Sequence, residues 1–211
     1  MFASLLRMAT KYGFSDVREQ LVDGIKGAYP AKWEDFETTQ VLGEAVFGSP
    51  QPHPNTVLNL FLEQNVKIVS PFAAYRAALG DLPSLFSDEP GAVLPRSTLA
   101  SIIHGMGEIR RVKTFAAHTI AYVGDVEACS KGGCALNVGI NNGGQRVEAL
   151  NKVYYVMADG NESDLFSPPQ LGTGFCVDCV KRLETSHLSW RKENFWAKLP
   201  RLLGWYDFEG V

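Results

Sequence analysis

The sequence predicts a mainly α-helical protein: an irregular helical bundle with a loop-rich C-terminal part that carries a four-cysteine site. Two observations lead to this prediction. Apolar residues recur at helical spacing through most of the first 125 residues, and no segment sustains the alternation typical of a strand. The cysteines are confined to two close pairs further on. The predicted division is a helical region 1–125, a cysteine-pinned region 126–205 and a tail 206–211.

The first two helices are the most sharply delimited. Apolar residues from Phe2 to Ala9 lie on one helical face, and Gly13 is placed to end that helix with a positive φ. Ser15 is expected to cap the second helix, which Tyr29-Pro30 stops. The two helices are therefore predicted to pack as a hairpin.

Further helices follow at intervals along the chain. A weaker helix is predicted over 33–47, and Asn55 and Pro71 are expected to open two strongly apolar ones. Ser97 is expected to cap a helix that Gly105 and Gly107 interrupt, with another over 108–123. The remaining predicted helices span 147–157, 180–187 and 188–198.

The composition is that of an ordinary globular chain, with 211 residues, 45% of them hydrophobic and 20% charged. The formal net charge of −3 argues against a surface built to neutralise many phosphates, and no apolar run reaches the length of a membrane span. The segment before Asp16 lacks acids, which also fits a mitochondrial presequence. The helical pattern that continues past Gly13 favours a structural helix, and hence a cytoplasmic or nuclear chain with reduced thiols.

The four cysteines have the spacing of a metal site. Cys129 and Cys134 are separated by four residues that include two glycines, and Cys176 and Cys179 by two residues. Each pair can turn both thiolates toward one ion, and two pairs complete a tetrahedral shell that suits structural zinc. All four cysteines are therefore predicted zinc ligands.

Two other interpretations of these cysteines stay open. Four reduced thiols, two of them buried as small apolar side chains, would satisfy the same pattern. A histidine close to the second pair, His187, can replace one thiolate as a ligand. Disulfides are disfavoured because the predicted compartment is reducing.

Several short segments of the sequence resemble segments of fungal BTB/POZ proteins of the large mushroom-type set. In those proteins the segments belong to the helical, BACK-like region that follows the BTB core. The first of these segments, residues 5–12, resembles the one that directly follows the BTB core. The others occur in the same order as in that set: Ala28-Tyr29-Pro30, Val57-Leu58-Asn59-Leu60, Pro71-Phe72-Ala73-Ala74-Tyr75, Cys176-Val177-Asp178-Cys179 and Trp196-Ala197-Lys198-Leu199-Pro200.

The resemblance implies a protein-interaction or adaptor module that engages protein partners, by self-association or on a cullin-type ligase scaffold. The BTB core has no counterpart in the chain, which opens where that core would end. Leu203 also departs from the family pattern, which often has Phe at this place.

Catalytic motifs are missing from the sequence. Gly172-Thr173-Gly174 is not followed by the Gly-Lys-Ser/Thr of a phosphate-binding loop, and neither Gly-x-Ser-x-Gly nor His-Glu-x-x-His occurs. The four histidines are scattered without metal-helix spacing. We therefore expect no catalysis.

One electrostatic feature supports an alternative, a zinc-stabilised nucleic-acid-binding module. The segment 181–201 is rich in basic residues and carries Trp190, Phe195 and Trp196 between them. A solvated helix face around core aromatic residues gives the same pattern. The residues predicted to contact nucleic acid under this alternative are Lys181, Arg182, Arg191 and Lys192.

Overall fold

The computed structural model describes residues 1–38, 46–47, 52–80, 82–89, 91–118, 129, 131, 134 and 175–205. This part of the chain is 75% helical and contains no strand, which confirms the predicted mainly α fold class. The helices are α1 (Phe2–Tyr12), α2 (Ser15–Lys26), α3 (Trp33–Thr38), α4 (Pro54–Glu63), α5 (Ser70–Ala78), α6 (Leu82–Leu85), α7 (Arg96–His118), α8 (Val177–Trp190) and α9 (Leu199–Leu202). A π-helical turn, Arg191–Phe195, and a 3-10 turn, Trp196–Lys198, follow α8.

The chain divides into two compact units. The first comprises Met1–Glu108 and Ala197–Val211, and the second comprises Ile109–Trp196. Helix α7 contributes to both, because the division falls within it. The predicted boundary between residues 125 and 126, the predicted helix 147–157 and the tail 206–211 lie outside the described residues.

Helices α1 and α2 contact each other as the predicted hairpin. Gly13 has a φ of 70°, and the N–H of Phe14 donates to the carbonyl of Ala9 at 2.9 Å, which closes α1. The prediction that Ser15 caps α2 is wrong. Phe14 holds the N-cap position and Ser15 is already helical, because the glycine turn redirects the chain one residue earlier.

The centre of the first unit is the packing of α4 on α5. His53 caps α4, since its Nδ1 accepts from the N–H of Asn55 at 3.2 Å. The prediction that Asn55 is the cap is therefore wrong. Its side chain is buried and its Nδ2 donates to the carbonyl of Leu85 at 3.4 Å, which ties α4 to α6. The apolar side chains buried on these two helices include Val57, Leu58, Phe61, Phe72, Ala74 and Tyr75.

Helix α7 is continuous through both of its glycines, so the predicted interruption at Gly105 and Gly107 is wrong. A side chain at Gly105 would collide with Leu203, whose Cδ2 lies 2.7 Å from the place of the missing Cβ. Leu203 is fully buried there. Glycine at 105 is thus explained by the close approach of a neighbouring side chain, and the helix tolerates it.

Helix α1 buries one half of its apolar surface and exposes the other. Leu6 and Ala9 face the core, with Leu6 at 0% exposure, whereas Met8 is 52% exposed. Leu5 and Tyr12 lie on the same side as Met8 and are also exposed. These three side chains, Leu5, Met8 and Tyr12, form the outer face of α1.

We expect Leu6→Ala to lower the free energy of unfolding by about 2–5 kcal/mol, because it removes a fully buried side chain and leaves a cavity. The matched control, Met8→Ala on the exposed side of the same helix, should change that free energy by less than about 0.5 kcal/mol. Denaturant titration of both variants measures the difference. Equal changes in the free energy of unfolding for the two variants would contradict the burial of Leu6 within the first unit.

Candidate metal centre

The second cysteine pair sits at the start of a long helix. Cys176 holds the N-cap position of α8 and Cys179 lies in its first turn. Cys129 and Cys134 come from the preceding part of the chain, and both are buried. All four cysteines belong to the second unit, Ile109–Trp196.

The four sulfurs converge on one point. Their Sγ atoms all lie within 4.8 Å of one another, and those of Cys129 and Cys176 are 3.5 Å apart. All four cysteines are free in this structure, and 3.5 Å is well beyond the S–S bond length of about 2.05 Å. Four Zn–S bonds of about 2.3 Å in a tetrahedron place the sulfurs roughly 3.8 Å apart, so the cluster has the size of a tetrathiolate site.

Each sulfur has an N–H group beside it. The backbone N–H of Lys131 donates to the Sγ of Cys129 at 3.4 Å, and that of Cys176 donates to the Sγ of Cys134 at 3.3 Å. The guanidinium of Arg182 donates to the Sγ of Cys179 at 3.2 Å. Such donors stabilise negative charge on sulfur, as metal-bound thiolates require.

The thiols differ in acidity because they differ in burial and in donors. The backbone N–H of Cys179 is the main cause that lowers the pKa of Cys176 to about 7. Burial raises the pKa of Cys179 to about 12. For Cys129, the N–H of Lys131 has the largest single effect and lowers the pKa, but burial and the thiols of Cys176 and Cys134 together raise it. Metal binding must therefore displace protons, and its affinity must fall as the pH falls.

An ion pair joins the two cysteine pairs. Lys131 lies between Cys129 and Cys134, Asp178 lies between Cys176 and Cys179, and the Lys131 Nζ is 2.5 Å from a carboxylate oxygen of Asp178. This contact is not among the sequence-based predictions, although opposite charges inside the two gaps are a usable signal for it. Both side chains are more than half exposed, so the pair contributes little to stability.

The basic residues of the nucleic-acid alternative have different environments. Arg191 is 3% exposed and lies in the π-helical turn, so its guanidinium is poorly placed for a phosphate. Arg182 contacts the sulfur of Cys179, a contact that was not predicted although a three-residue spacing on one helix indicates it. The exposed members of the set are Lys181, Arg182 and Lys192.

The aromatic residues of the same segment serve mainly in packing. Phe195 and Trp196 are buried, and the ring of Trp190 lies 6.4 Å from the ring of Phe115, centroid to centroid. This arrangement matches the interpretation of a solvated helix face around core aromatic residues.

His187 is buried in α8 and is not one of the side chains in the sulfur cluster. Among the described residues, its Nδ1 has no hydrogen-bond partner. Burial, assisted by the charge of Arg191, lowers the pKa of His187 to about 3. The imidazole is therefore neutral in the folded protein at ordinary pH.

No protein-family model, curated protein or solved structure matches this chain. The resemblance to fungal BTB proteins therefore stays a prediction, and the functional inference rests on the geometry of the site. Within the described part of the chain, no helix has both the length and the apolar character required to cross a membrane.

We expect the protein, produced with ample zinc under reducing conditions, to contain about one zinc per chain by elemental analysis. Cys179→Ser should lose most of this metal and the hydrogen-exchange protection of α8, while α4 and α5 stay protected. Asp178→Asn, in the same gap, should keep the metal because its ion pair is exposed. Metal-free wild-type protein, or equal metal content in Cys179→Ser, would contradict the site.

We expect burial of neutral His187 to make the fold sensitive to acid. The pKa of His187 is about 3 in the folded state, and its ordinary value of 6.5 applies to the unfolded state. The unfolded state therefore binds more protons as the pH falls below 6.5. Stability is then complete above about pH 6.5 and declines toward pH 3, by about 2 kcal/mol between pH 7 and pH 5. Chemical denaturation of wild type and His187→Gln at both pH values tests this. His187→Gln should lose about 2 kcal/mol less stability than wild type between pH 7 and pH 5. Equal losses in the two proteins would contradict the burial of a neutral His187.

Proposed function

We propose that this chain is a protein-interaction module without catalytic activity, in which the four cysteines hold a structural zinc ion. The observation that carries the proposal is the convergence of the four sulfurs within 4.8 Å. Four thiolates fill a tetrahedral shell and leave no position for a substrate, which is the arrangement of structural zinc sites. Thiolate ligands also favour zinc over magnesium or calcium, which prefer oxygen.

The role of the metal in this proposal is to fasten two distant parts of the chain together. Cys134 and Cys176 are separated by 41 residues, and the ion would close them into a loop. Apparent binding free energies of structural zinc are about 10–16 kcal/mol in small domains, so the ion is a major source of stability for the second unit.

The outer face of α1 supports the interaction part of the proposal. Leu5, Met8 and Tyr12 recur at helical spacing and are exposed on a helix that buries Leu6 on its other side. Exposed apolar stripes of this kind mark surfaces that bind other proteins. The resemblance to BTB proteins assigns this face to a BTB core, and it suggests self-association or a cullin-type scaffold as the partner.

The nucleic-acid alternative is less well supported by the same residues. Burial of Arg191 and the hydrogen bond from Arg182 to Cys179 remove two of the four basic side chains from a simple phosphate-contacting role. The interaction module is therefore the function that the described residues favour.

We expect the isolated chain to self-associate through the outer face of α1 as its concentration rises, because this apolar surface lacks a covering partner within the described first unit. Met8→Glu should shift the protein toward the monomer in light scattering. Val93→Glu introduces the same charge at another exposed apolar residue, which is 67% exposed, and should leave association unchanged. A monomeric wild type, or equal responses of the two variants, would contradict this role for α1.

A further inference from the structure

The proposed zinc centre carries a net charge that the protein must balance. Four thiolates and one Zn²⁺ ion sum to a charge of −2, and three of the four cysteines are buried. Burying uncompensated charge is costly, so cationic or N–H groups must lie against the sulfurs. The groups that lie against the sulfurs therefore identify the residues that stabilise the charge of the centre.

Backbone groups provide part of this compensation. The N–H groups of Lys131 and Cys176 donate to two sulfurs. The N-terminus of α8, with its partial positive charge, lies at Cys176 and Cys179. Because these are main-chain groups, substitution of a side chain does not remove them.

Among the described residues, the cationic side chains of Lys131 and Arg182 lie near the cluster, and they differ in what they contact. Lys131 pairs with the carboxylate of Asp178, so much of its charge is already compensated. Arg182 instead donates directly to a cluster sulfur, that of Cys179, at 3.2 Å. Cys179 is the most deeply buried of the four, at 1% exposure.

We propose that Arg182 is the counter-ion of the centre, a positioning residue whose guanidinium keeps the Cys179 sulfur on the metal and sets the rate at which the ion leaves. This inference rests on the proposed zinc site. Cys179 and Arg182 are three residues apart on α8, so helix formation itself places the guanidinium beside the sulfur. A charge-assisted hydrogen bond of this kind is stronger than a neutral one.

The test compares zinc-loaded wild type with Arg182→Gln, Arg182→Lys and Lys181→Gln. Lys181→Gln is the matched control, because it removes the same charge from the neighbouring exposed position of α8. Zinc transfer to a chromogenic chelator gives the release rate. Mass spectrometry after brief iodoacetamide treatment shows which cysteine becomes accessible first.

We expect Arg182→Gln to release zinc about 10–100 times faster than wild type, because loss of a partner to a metal ligand typically lowers metal affinity by this factor and affinity losses fall mostly on the dissociation rate. Arg182→Lys should fall between them, and Lys181→Gln should match wild type. Alkylation of Cys179 should rise selectively in Arg182→Gln.

Three results would overturn the inference. If Arg182→Gln releases zinc at the wild-type rate, the role of Arg182 is overturned but the proposed zinc site is not. Equal acceleration of alkylation at all four cysteines would show general loosening of the fold and would assign Arg182 a merely structural role. Wild-type protein that takes up no zinc would overturn the proposed site and this inference together.

Discussion

The proposed metal centre depends on the meeting of four sulfurs from two separate parts of the chain. Closing a loop of about this length costs roughly 4 kcal/mol of chain entropy. The exposed pair of Lys131 and Asp178 contributes little, and neutral hydrogen bonds contribute about 1 kcal/mol each. Apparent binding free energies of structural zinc are about 10–16 kcal/mol in small domains, so the proposed ion would exceed the cost of closing this loop.

The first unit is stabilised in a different way. Its centre is the pair α4 and α5, where apolar side chains such as Phe61 and Tyr75 are completely buried. Helices α1 and α2 are tied to the end of α4 by an ion pair between Arg7 and Glu63 and by a hydrogen bond from Arg18 to the Gln64 carbonyl. The described residues of the first unit are thus held by buried apolar side chains, whereas the second unit carries a cluster of thiols that the proposed ion would hold together. This contrast is why loss of metal should affect them unequally.

The features that could be predicted from the sequence were those set by local chemistry. The end of α1 at Gly13 follows from the positive φ that glycine tolerates, and the cysteine cluster follows from the spacing of its two pairs. The errors arose where tertiary contacts decide. Asn55 has the chemistry of a cap but turns inward to Leu85, and Gly105 resembles a helix breaker but makes room for Leu203. Arg191 likewise looked like a surface charge, and nothing in its local sequence indicates burial in a π-helical turn.

X-ray absorption at the zinc edge of the purified protein tests the central claim most directly, because it counts the atoms bound to the ion and identifies them as sulfur or as nitrogen and oxygen. The arrangement of Cys129, Cys134, Cys176 and Cys179 requires four sulfur ligands at about 2.3 Å and no lighter ligand. A spectrum with nitrogen or oxygen in the first shell, such as three sulfurs and one imidazole, would contradict a closed tetrathiolate centre.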